Sequence, residues 1–268
     1  MREIAKVYDA DPEKEWSRLE RSPWYRLEFD VFLHHICAHL RDEGLLLDAG
    51  GGPGRYSIEL CRLGYRVVLL DLSAGCIQTA KSKFAEQPEK VQARLENCVV
   101  ADVTDMSCLP DQMFNGVLCL DPLSCLADDA DRHRAISEVV RVAKRGAMVA
   151  LGARGYLAVL RTIIRIASQD LVNGSIETLQ RTGNCKIRGL PHHFFRISEL
   201  KRLAESHGLK TILMAGGQGL SAGLPEATNA IAEDPEKWER WKEVIMNTST
   251  DPAVADLSEH MLYLGRME

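Results

Sequence analysis

Apolar residues come in short, nearly unbroken runs at Leu45-Leu46-Leu47, Val67-Val68-Leu69-Leu70, Cys98-Val99-Val100-Ala101 and Val117-Leu118-Cys119-Leu120. Runs of this kind, without polar alternation, are expected of parallel strands covered on both faces. Between them apolar positions recur at helical spacing. Ile58, Cys61 and Leu63 mark a helix from Arg55 that Gly64 can end, and Ser73 is placed to cap a second one reaching Phe84. Over 129–144, Ile136, Val139, Val140 and Ala143 share a face, ahead of Gly146 and a strand at 147–151. Two later runs, 207–214 and 259–266, bring the expected strands to seven. Strand and helix in alternation, joined by short turns, predict a doubly wound, Rossmann-like α/β fold with a mostly parallel sheet. Its ligand belongs at the carboxyl ends of the strands.

Two stretches fall outside the alternation. One is a helix over 24–40, opened by Pro23 and apolar along Tyr25, Phe29, Phe32, Leu33, Ile36 and Leu40. The other, 154–191, reads as helix and then as glycine-punctuated chain around Asn173-Gly174 and Gly183-Asn184. The expected organisation is a helical lid at 1–44, an α/β core at 45–153, a helical cap insertion at 154–191, and a C-terminal return to the core sheet at 192–268.

Composition is that of an ordinary globular chain, 46% hydrophobic and 26% charged over 268 residues. The first residues are charged and lack the apolar stretch of a secretory leader, and no run approaches a membrane span, so a cytoplasmic protein without a membrane partner is expected. Several of the eight cysteines sit in apolar-periodic segments, where thiols serve as small hydrophobes and stay reduced. A net charge of −5 argues against a generally sticky nucleic-acid binder, yet from Arg132 to Lys201 there are 13 Lys/Arg against 4 Asp/Glu. If that basic segment, with Arg154, Arg161, Arg165, Arg181, Lys186, Arg188 and Arg196, caps the site, it favours an anionic acceptor. The alternative is a solvated face balanced by acids elsewhere.

The chemistry is concentrated in Leu47-Asp48-Ala49-Gly50-Gly51-Gly52-Pro53-Gly54-Arg55-Tyr56, where a strand ends in an acid, turns through glycines and enters a helix. Glycines suit a place where backbone and ligand touch, since no Cβ intrudes and positive φ is allowed. A dinucleotide fingerprint counted from Gly50 would put its third glycine at position 55, which is Arg. That speaks against a nicotinamide-dependent oxidoreductase, although a non-catalytic nucleotide-binding module remains an alternative reading.

The D-x-G-x-G-x-G arrangement of Asp48, Gly50, Gly52 and Gly54 resembles the first motif of the class I S-adenosylmethionine-dependent methyltransferases. The likeness continues through Val68-Leu69-Leu70-Asp71-Leu72-Ser73, Ala101-Asp102-Val103 and the stretch from Phe114 to Leu123. It implies S-adenosylmethionine as cofactor and S-adenosylhomocysteine as product. It also implies a site in which Asp48 and Gly50, Gly51 and Gly52 form the floor, Asp71 and Leu72 meet the ribose, Asp102 and Val103 meet the adenine, and Leu120 flanks the methionine part. The layout as a whole is similar to the type 11 small-molecule group and to the tRNA wobble carboxymethoxyuridine methyltransferases. By that likeness Arg26 clamps the cofactor carboxylate; otherwise it is an ordinary surface partner of Asp30 four residues on. The sequence departs from the pattern after the fourth strand, where Asp121-Pro122-Leu123-Ser124 stands in place of aromatic and histidine residues.

The resemblance implies transfer to a small-molecule acceptor, with a modified uridine in tRNA as the alternative. Asp121 and His193 are the candidate catalytic bases, ahead of His192 and Tyr25, for an acceptor that must lose a proton. Trp238 and Trp241 read as helix packing. His35 and His39 share a helical face, but no Glu follows in H-E-x-x-H order and no Cys-x-x-Cys occurs, so no metal is expected.

Overall fold

The computed structural model describes residues 2–187 and 189–268, so Arg188 of the basic segment lies outside the described residues. Among the described residues there are nine strands: β1 Leu45–Ala49, β2 Arg66–Asp71, β3 Leu95–Val100, β4 Phe114–Leu120, β5 Ala143–Arg154, β6 Asn184–Ile187, β7 Leu190–His193, β8 Leu209–Gly216 and β9 His260–Met267. Seven form one sheet in the order β3-β2-β1-β4-β5-β9-β8. The first five are mutually parallel; β9 runs antiparallel to both β5 and β8. The order reverses between β1 and β4, and there the carboxyl ends of the two strands open a crevice.

The described residues also form thirteen α-helices. They are α1 Arg2–Asp9, α2 Pro12–Ser17, α3 Pro23–His39, α4 Arg55–Arg62, α5 Ala74–Ala85, α6 Glu89–Gln92, α7 Asp129–Val142, α8 Tyr156–Ile166, α9 Ser175–Thr182, α10 Ile197–Ser206, α11 Pro225–Ile231, α12 Pro235–Thr248 and α13 Pro252–Leu257. Successive residues of each central strand feed opposite layers. Leu47, Val68, Val117 and Val149 pack with Ile136 and Val139 of α7 and Leu200 of α10. Leu46, Val67, Leu118 and Met148 pack with Leu27, Phe32 and Ile36 of α3 and Ile58 of α4. The middles of β1, β2 and β4 are therefore buried on both faces and read as unbroken apolar segments, whereas β3, at the sheet edge, is covered less than its apolar run predicted and leaves Val100 exposed. Ser73 caps α5, its side chain accepting from the Cys76 N–H.

Three features differ from the sequence reading. Strand β5 begins at Ala143 rather than beyond Gly146: Phe114 pairs with Ala143, the register then shifts, and Gly146 with φ 76° lies inside the strand instead of ending a helix. The 154–191 segment is not wholly helical. After α8 and α9 it closes as the antiparallel hairpin β6–β7, around a small core of Ile163, Leu179 and Phe194. Finally, the first twenty residues carry α1 and α2, which the apolar pattern did not single out. No helix among the described residues is long and apolar enough to cross a membrane.

Candidate active site

The glycine turn after β1 is strapped to β2, with the Gly50 and Gly51 N–H groups donating to the Leu70 carbonyl at 2.6 and 3.2 Å. Gly50 (φ 73°), Gly52 (φ 56°) and Gly54 (φ 84°) occupy the left-handed region, and a Cβ on Gly50 would run into the Pro122 ring. Gly51 has no room either, because its Cβ would overlap the Asp48 carboxyl. Asp48 is 1% exposed, and its Oδ2 accepts from Ser57 Oγ at 2.7 Å; burial pushes its carboxyl up to about 6, with Asp71 nearby adding to the shift. Asp71 closes β2 with Oδ2 accepting from the Gly52 N–H and Oδ1 from the Ser73 N–H, both at 2.8 Å. Burial outweighs these two donors and raises it to about 6 as well.

Asp48, Gly50, Gly51, Gly52, Asp71, Leu72, Val103, Leu120 and Asp121 all line one cavity of about 1130 Å³, its open mouth included. Asp121 adopts φ 81°, an uncommon backbone for a residue with a side chain, and its carboxylate is gripped by the Arg154 fork, Nη2 to Oδ2 at 2.5 Å. Burial pushes the Asp121 carboxyl up, but Arg154 beside it prevails and holds it below its ordinary value. A carboxylate so committed is a weak proton acceptor.

The roof comes from the N-terminal helices. Ile4, Ala5 and Tyr8 of α1 line the cavity, and Asp9 fastens the helix to the start of α5 by accepting from Ser73 Oγ at 2.6 Å and from the Gly75 N–H at 2.9 Å. Beyond them Arg18 donates Nε to Glu15 at 2.8 Å and both terminal nitrogens to Glu28 at 3.0 Å. Glu28 is 3% exposed; burial alone would raise it, yet Arg18 and His260 keep its carboxyl well below the usual range. His260 Nδ1 stands 2.8 Å from Glu28 Oε2.

Other expected residues lie elsewhere. Arg26 is not among the cavity's lining residues; it pairs with Asp30 at 2.7 Å and faces Glu20 at 3.4 Å, the ordinary surface arrangement, and Arg18 is the guanidinium that reaches the wall. His193 does not line the cavity either. It is buried in the cap, with Nδ1 2.8 Å from Asn184 Oδ1, Nε2 2.7 Å from Glu199 Oε1, and its ring against the edge of Phe195. Asp102 adjoins the site only through Val103, and its Oδ1 accepts from the Thr104 amide and hydroxyl. None of Arg154, Arg161, Arg165, Arg181, Lys186 and Arg196 lines the cavity, so the wall gives no support to an anionic acceptor. Three of them pair with acids of other segments, Arg154 with Asp121, Arg161 with Glu259 and the exposed Arg196 with Asp256. Among the described residues no cluster of His, Cys, Asp and Glu could hold a metal.

A family model for the type 11 methyltransferase domain matches residues 47–151, the stretch that carries this crevice. That stretch is a methyltransferase domain. The chain is 27% identical over 112 residues to a ubiquinone biosynthesis O-methyltransferase of Xanthomonas axonopodis, covering 41% of this chain and 45% of the relative. It is 32% identical over 99 residues to the tRNA 5-carboxymethoxyuridine methyltransferase of Escherichia coli, covering 35% and 38%. It thus spans less than half the length of the curated relatives it matches. In fold it is similar to a methyltransferase structure from Methanosarcina mazei, with a TM-score of 0.62 at 19% identity over 87% of this chain and 96% of the other.

The cavity of the methyltransferase domain suits a sulfonium nucleoside. It pairs a crowded glycine bend with two acids that lack a countercharge, Asp48 buried and Asp71 half-buried, and the buried Tyr56 hydroxyl has no partner among the described residues. Tyr8, Arg18, Glu28 and His260 were missed by the sequence reading. Each reaches the cavity from a segment outside the 45–153 core, so no motif spacing connects them to it. The only local hint was the closeness of Glu15 and Glu28 to Arg18 in the chain.

Proposed function

We propose that this chain transfers the methyl group of S-adenosylmethionine to a small-molecule acceptor bound in the same cavity. The observation that supports this most is the gathering of Asp48, the Gly50–Gly52 bend, Asp71, Leu72 and Val103 from successive strand ends onto one crevice. In this reading Asp71, each oxygen already accepting one amide and retaining a lone pair, holds the ribose hydroxyls. Leu72 lies beside the ribose and Val103 flanks the adenine, with Asp102 accepting from its amino group through the oxygen that Thr104 leaves free. Gly50, Gly51 and Leu120 face the methionine part. When bound, the cofactor supplies an electrophilic methyl carbon on a sulfonium.

The protein's own task is then to exclude water and hold the acceptor atom in line, which the roof of α1 and the Asp121–Arg154 pair at the ends of β4 and β5 are placed to do. His193 takes no part in this scheme. Calorimetry should show one site for S-adenosylmethionine and S-adenosylhomocysteine and none for NAD; tight NAD binding without either nucleoside would overturn the proposal. Transfer to tRNA, suggested by the name of the second relative, is the other reading. It would gain if tRNA co-purified and bound with a steep dependence on salt.

A further inference from the structure

Five carboxylates line the cavity, those of Glu15, Glu28, Asp48, Asp71 and Asp121, against two guanidiniums, those of Arg18 and Arg55. Neither cation offers a free two-pronged face, although the buried Arg55 Nε has no hydrogen-bond partner among the described residues. Arg18 spends Nε on Glu15 and both terminal nitrogens on Glu28, while Arg55 lies over the Trp16 ring, donates Nη2 to the Trp16 carbonyl and meets Glu20 through Nη1. Arg154, just behind the wall, is taken by Asp121. A carboxylate or phosphate entering this space would find acids without a matching donor pair. A cation would find the opposite. One buried polar atom of the wall, the Tyr56 hydroxyl oxygen, has no hydrogen-bond partner among the described residues.

We propose that the acceptor pocket beside Glu28, Tyr56 and His260 selects a positively charged or neutral protic molecule, an amine above all, and rejects anionic acceptors. The inference rests on the reading of this cavity as the methyl-transfer site and names the substrate class that site takes. Glu28 is its specificity-determining residue: it is buried, kept ionised by Arg18, and contacted at 2.8 Å by a histidine that can yield. The cofactor neutralises only part of the wall, because its sulfonium and ammonium are offset by its own carboxylate. The excess negative charge therefore persists for the second ligand.

The test uses the full chain saturated with S-adenosylhomocysteine and two probes that share a ring but differ in charge, tyramine and 3-(4-hydroxyphenyl)propionic acid, with 4-ethylphenol as the neutral member. Tyramine should bind at least about tenfold more tightly than the acid, with the neutral phenol between them. In Glu28→Gln the preference should shrink toward unity. If that variant fails to fold, the wild-type comparison still decides. Equal binding of the two charged probes, tighter binding of the acid, or binding of no probe at millimolar concentration overturns the inference. Failure of S-adenosylhomocysteine itself to bind removes instead the reading on which the inference stands.

Discussion

Two aspartates, Asp48 buried and Asp71 half-buried, whose carboxyls are raised to about 6 give the site a measurable dependence on pH. An acid with a raised folded value binds its proton more tightly in the folded than in the unfolded chain. Its contribution to stability is thus greatest below about pH 4 and is lost as pH climbs through about 6. Asp48→Asn, which keeps an oxygen for Ser57, should raise the stability of the ligand-free protein at pH 7.5 by about 1–3 kcal/mol and change it little at pH 4. Urea denaturation at the two pH values checks this, and destabilisation at both would contradict it. A bound cation favours the ionised carboxylates, so S-adenosylmethionine affinity should fall as pH drops from 7.5 to 5, with proton release on binding in calorimetry. Gly51 supplies a steric test at the same place. Gly51→Ala drives a methyl into the Asp48 carboxyl and should abolish cofactor binding while lowering stability by about 1–3 kcal/mol.

At the scale of elements, the cavity is a joint product of the sheet ends and of α1, which is held by the two bonds that Asp9 accepts at the start of α5. Asp9→Ala should loosen this latch and speed S-adenosylhomocysteine dissociation several-fold in stopped-flow, with little change in melting temperature. An unchanged rate would show that α1 does not gate the site. His193 is predicted to act as a staple between the β6–β7 hairpin and α10. His193→Ala leaves Asn184 and Glu199 without it and should cost about 1–3 kcal/mol of stability without altering cofactor affinity. The contrast between these elements also explains what could be read from the chain. Strands β1, β2 and β4 and helices α4, α5 and α7 have one-dimensional signatures, because burial on both faces or on one stripe fixes the residue pattern. The hairpin has none: Asn184-Cys185-Lys186 and Pro191-His192-His193 are polar and short, and only Gly183 with its left-handed φ marks the entry. Arg26 and Arg18 look alike in sequence. The choice between them is made by how α2 and α3 pack, through Glu28 on one side and Asp30 on the other.

For the molecule as a whole, opposite charges are spent in pairs that the fold brings together. Three arginines of the basic stretch from Arg132 onward pair with acids distant in the chain, Arg154 with Asp121, Arg161 with Glu259 and Arg196 with Asp256. The acids of the crevice keep the residual field, and a cationic cofactor fits that field better than its neutral product does. The sheet holds those acids in register from one strand end to the next, which is the central claim of this account. Its most direct test is calorimetric binding of S-adenosylmethionine to the wild type and to Asp71→Ala, with circular dichroism confirming that both are folded. The account predicts one site in the wild type and a loss of about 1–3 kcal/mol in the variant. Unchanged affinity in a folded Asp71→Ala protein, or no binding by the wild type, would contradict it.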